Sequence, residues 1–76
     1  MNKARRAQLI EASHQIRDLL EQIQSLQEEE QEAFDNLPES FQRSELGSES
    51  EQAAARLSDA RDALEEALSA VEDASS

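Results

Sequence analysis

From Lys3 to Phe34 the chain holds no glycine or proline, and its apolar residues recur with a heptad period. With Leu9, Ile16 and Ile23 at a, Ala12, Leu19 and Leu26 fall at d. The series runs on through Glu30, Ala33 and Leu37. This spacing gathers one apolar stripe along a helix and gives none of the alternation a half-buried strand requires. It predicts a helix over about residues 3–35, roughly 48 Å long at 1.5 Å per residue. A second series follows Gly47, with Leu57, Leu64 and Val71 at a and Ala53, Ala60, Ala67 and Ala74 at d. It predicts a helix over about residues 48–74. Ser48 and Glu51 have the spacing of a capping box at its start, and Gly47 supplies backbone freedom just before it.

Between the two series lie the only proline and the only glycine of the chain. Pro38 cannot continue the first helix and biases Leu37 away from helical dihedrals. The reading is a turn over residues 36–47 with a short helical turn at 38–42. Folding the chain back between Phe41 and Gln42 brings a positions against d positions throughout. Leu19 then faces Leu64, Ile23 faces Ala60 and Leu26 faces Leu57. The expected fold is all-α, a single antiparallel two-helix coiled-coil hairpin spanning residues 1–76. Leu37, Phe41 and Leu46 would close its end as an apolar plug, with Phe34 beside them.

Seventy-six residues bury a small core, and two phenylalanines without Tyr or Trp add little area to it. Self-association is the usual remedy. Leu20, Phe34, Ala54 and Leu68 fall at e, and Ala63 and Ala70 at g, widening the apolar stripe beyond what two helices need. Leu20, Ala54, Ala63 and Leu68 are therefore the expected self-association or partner stripe, and a homodimeric four-helix bundle the expected assembly.

The net charge of −11 sets the chain against nucleic-acid phosphates and anionic membranes, so neither is expected as a direct partner. The charge is uneven. Residues 1–17 carry Lys3, Arg5, Arg6 and Arg17 against Glu11, a net of +3, whereas residues 28–51 carry nine acids against Arg43, a net of −8. No cysteine, targeting segment or long apolar run is present, and a cytoplasmic protein is expected. Glu11 and His14 share the E-x-x-H spacing of carboxylate-bridged metal sites, but at c and f they point away from the seam. The acid run from Glu28 to Asp35 lacks the alternating ligands and glycine of a calcium loop. No nucleophile has a base and orienting group beside it, and no phosphate-binding glycine motif occurs. The expectation is a non-enzyme without cofactor or metal.

The turn is longer and more apolar than a reversal needs, and it lies at the acidic end. Phe34, Leu37, Glu39, Phe41 and Glu45 are the candidate partner-binding residues there. The run E-A-F-D-N-L-P-E-S-F-Q-R-S-E-L-G, Glu32 to Gly47, resembles small uncharacterised helical-hairpin proteins of bacteria and their phages, which carry a D-N-L-P-E-S-[LF]-Q-x-S-E-x-G turn. The resemblance implies a phage or prophage origin and carries over no functional residue. The leading expectation is a protein–protein interaction module, phage-encoded, binding or inhibiting a host protein through its acidic turn end and apolar stripe. One alternative is an acidic DNA mimic that blocks a nucleic-acid-binding protein. Another is a purely structural self-associating coiled coil.

Overall fold

The computed structural model describes all 76 residues. It is entirely helical apart from short connections, with α1 at Lys3–Asp35, α2 at Glu39–Gln42 and α3 at Glu45–Ser75. The rod measures 58 × 14 × 13 Å. Asn2 opens α1, its side-chain oxygen accepting from the Arg5 amide at 2.7 Å. Nothing in the following 33 residues interrupts the helix. It ends where Pro38 approaches, and Pro38 then stands at the N-cap of α2 in an extended conformation.

α3 starts three residues earlier than the capping-box pattern predicts. Ser44, not Ser48, is its N-cap: the Ser44 hydroxyl accepts from the Gly47 amide at 3.5 Å, and the Ser48 amide donates to the Ser44 carbonyl at 3.0 Å. Both serines suit a cap, and starting at Ser44 adds most of a helical turn. Gly47 consequently lies inside α3 with no positive φ. Its role is space, not backbone freedom. A Cβ built on it would lie 2.3 Å from the Gln42 carbonyl oxygen and 2.5 Å from that of Phe41. The first turn of α3 presses directly on the backbone of α2.

α1 and α3 lie side by side in opposite directions, bridged by side chains far apart in sequence: Ser50 to Glu30 at 2.7 Å, Arg61 to Gln27 at 3.1 Å and Arg17 to Glu72 at 2.6 Å. The seam between them is rotated by one position from the one the heptad reading predicts. On α1 the covered residues are Leu9, Ala12, Ser13, Ile16, Leu20, Ile23, Gln27, Glu30 and Phe34, and on α3 they are Gly47, Ser50, Ala53, Ala54, Leu57, Ser58, Ala60, Arg61, Leu64, Leu68, Val71 and Ser75. Both sets keep the a positions and add e, while among the d positions Ala12, Ala53 and Ala60 stay half-covered and Leu19, Leu26, Ala33, Ala67 and Ala74 are exposed.

The rotation corrects the expected stripe. Leu20, Ala54 and Leu68 belong to the seam, and only Ala63 of that group is exposed. Leu19 and Leu26, expected inside, stand outside at 50% and 42% exposure. The exchange brings three large side chains in (Leu20, Phe34 and Leu68) for two that leave. It also draws Ser13, Gln27 and Arg61 into the seam beside Glu30 and Ser50, and each finds a partner. The Ser13 hydroxyl donates to the Ile10 carbonyl at 2.6 Å, and Glu30 and Gln27 accept from Ser50 and Arg61. No buried side-chain donor or acceptor is left without one.

The expected plug over the turn is also corrected. Phe34 and Leu37 are half-buried, but Phe41 and Leu46 are exposed, at 52% and 57%. The backbone contact at Gly47 closes the end and leaves them outside. Across the chain only Ser13, Gly47 and Ala54 are buried, and no large side chain is fully so.

Candidate functional site: an apolar face and a capped acidic turn

The turn is built around one side chain. The Gln42 amide nitrogen donates to the carbonyls of Phe34 at 3.2 Å and Leu37 at 3.1 Å, and reaches that of Asp35 at 3.5 Å. The last carbonyls of a helix have no partner within it, so α2 caps α1 with the side chain of its last residue. The Asn36 amide returns to the Glu32 carbonyl at 3.0 Å. Ser44 links the other side, its hydroxyl donating to the Phe41 carbonyl while accepting from Gly47. Arg43 and Glu39 form an ion pair on α2 that is largely solvated.

This construction divides the candidate turn residues. Phe34 and Leu37 support the Gln42 cap from half-buried positions, whereas Glu39, Phe41 and Glu45 face solvent. Leu46, part of the expected plug, joins that exposed group. The cap of Gln42 had no signal in local pattern, because its acceptors lie five to eight residues back, at the end of α1 and in the connection after it. The close approach at Gly47 had one, the presence of a lone glycine between capping serines.

The hairpin has two unlike broad faces. In an antiparallel pair, positions displaced to the same side of each helix's seam lie on one face of the pair. Leu19, Leu26 and Ala33 on α1 therefore share a face with Ala60, Ala67 and Ala74 on α3, with Ala63 and Ala70 at its flank. Of these only Ala60 is half-covered; the rest are exposed. The opposite face holds an open groove of about 440 Å³ lined by Gln24, Gln27, Glu28, Gln31, Glu32, Asp35 and Arg61, without one hydrophobic residue. Arg61 is its only cation and is held by Gln27, Ser58 and Asp62.

No protein-family model, curated protein or solved structure matches this chain.

What the arrangement can do follows from the surfaces it leaves open. Glu11 and His14 are both exposed on α1, and nowhere do three carboxylates or imidazoles converge as a metal-binding group. No helix is long and apolar enough to cross a membrane. The surface with the clearest unmet requirement is the Leu19–Leu26 face. Two leucines and a row of alanines there have no partner within the chain, while the groove opposite is polar and solvated.

Proposed function

We propose that this chain is a non-catalytic protein–protein interaction module. Its Leu19–Leu26 face is covered by protein in the working assembly, and its acidic turn end remains free for a further partner, a host protein if the chain is phage-encoded. The observation that carries the reading is the pairing of an uncovered apolar face with a core in which no large side chain is fully buried. An uncovered row of leucines and alanines on a chain with so little core is the mark of an interaction surface. At the turn end, Phe41 and Leu46 stand exposed among Glu39 and Glu45. That mixture suits contact with protein better than imitation of phosphates, which needs charge alone.

A photo-crosslinking residue placed at Leu26 tests this in the expressing cell, with one at Glu28 in the opposite groove as the control. Protein adducts should form from position 26 and far less from position 28. An absence of adducts from position 26, with the variant folded, would remove the proposal.

A further inference from the structure

We infer that the protein covering the Leu19–Leu26 face is a second copy of this chain, seated antiparallel so that the turn ends lie at opposite ends of the dimer. The inference rests on the interaction reading above and gives it an occupant.

Area is the first ground. The chain exposes 5623 Å². A compact monomer of its 8.5 kDa mass exposes about 4,700 Å² by the surface–mass scaling. The excess, roughly 1,000 Å², comes from the 58 × 14 × 13 Å rod shape, and side-by-side pairing of two rods is an arrangement that removes surface of this kind. A symmetric dimer closes on itself and leaves no second apolar face for a further copy. That matches a hairpin with one apolar face and one polar face.

Charge selects the direction. Either two-fold arrangement, turn ends together or apart, covers the same face. Turn ends together would set one segment of net −8, residues 28–51, beside another. Turn ends apart sets each beside the open end of its partner, where residues 1–17 at net +3 and residues 67–76 at net −2 leave +1. Within the chain, Arg17, Arg43 and Arg61 are paired with acids, whereas Arg56 on α3 and Lys3, Arg5 and Arg6 near the N-terminus form no salt bridge. The three N-terminal ones stand at the end where the acidic turn of an antiparallel partner would arrive. Opposed potentials of this kind fix register and orientation more than affinity.

The chain has no cysteine, so a single Ser40→Cys variant carries one spin label at the turn end. Purified protein at micromolar concentration should scatter light as twice 8.5 kDa. Dipolar distances between labels should be comparable to the 58 Å length of the rod. Labels separated by only about two helix diameters, ~20 Å, would overturn the antiparallel seating. A monomer at every accessible concentration would overturn the second copy, yet adducts from position 26 to another protein would leave the interaction reading standing. Leu26→Lys should weaken dimerisation at least tenfold and Glu28→Lys less than twofold, both with helical circular dichroism retained. Equal effects of the two would refute the face. The label distance depends on neither of these variants, so a folding failure in one of them cannot shelter the proposal.

Discussion

From Gln27 to the turn, the two long helices are tied by hydrogen bonds; from Ile23 to the termini, they are closed mainly by aliphatic side chains. In the turn half, Gln27 meets Arg61, Glu30 meets Ser50, and Gln42 caps α1 while Gly47 presses on α2. In the open half, Leu9, Ile16, Leu20 and Ile23 lie against Leu64, Leu68 and Val71, with Arg17–Glu72 as an exposed tie. Hydrogen bonds and backbone contact are directional, so they define where the chain reverses and how the helices are rotated. Aliphatic packing is not directional, and the 3–4 spacing of the apolar residues admits two seams. The turn half therefore selects the register, and the open half stabilises it.

The largest effect should come from Gly47. In an ordinary helix interior Gly→Ala stabilises by about 1 kcal/mol. Here the new Cβ meets carbonyl oxygens that cannot swing away. Gly47→Ala should destabilise by about 3 kcal/mol, at the upper end of overpacking costs, read from urea unfolding. A stabilised variant would break the account of the turn. Next comes the seam itself. Leu20→Ala should cost about 2 kcal/mol, at the low end for core truncations because the site is only half-covered. Leu19→Ala, at concentrations low enough to keep the chain monomeric, should cost under about 0.5 kcal/mol, as at a surface position. The reverse order would restore the seam that heptad lettering alone predicts.

Gln42→Ala should cost about 1 kcal/mol, the ordinary worth of such hydrogen bonds. Gln42→Glu should be no better at pH 7, because a carboxylate accepts but cannot donate to the carbonyls of α1. Recovery of stability in Gln42→Glu would show that the side chain does not act as the cap. The smallest effect belongs to Arg17→Ala. Its ion pair with Glu72 is about half exposed on both sides, and the change should stay under about 1 kcal/mol and shrink further in salt.

Helical character and elongation were legible from the heptad spacing and the absence of breakers over the first 37 residues. The rotation of the seam was not. Leu19 and Leu20, like Ala67 and Leu68, are neighbours that fit alternative stripes, and local spacing cannot choose between them. The start of α3 was misplaced because Ser44 and Ser48 both have the chemistry of a cap. Of the candidate surface, the presence of an uncovered apolar stripe was legible, but its members followed the seam: Leu20, Ala54 and Leu68 go inside, and Leu19 and Leu26 take their place outside. Glu39 and Glu45 are exposed at the turn end, and Phe41, which the plug reading set inside, is exposed beside them.

The most direct measurement compares thiol labelling of Leu19→Cys and Leu20→Cys, neighbours on opposite sides of the seam boundary in a chain with no other cysteine. In dilute solution position 19 should react rapidly and position 20 slowly. As protein concentration rises, position 19 should become protected as a second copy covers it, while position 20 should stay slow throughout. Protection of position 19 in the dilute monomer, or faster labelling at position 20, would contradict the rotated seam and the open face that follows from it.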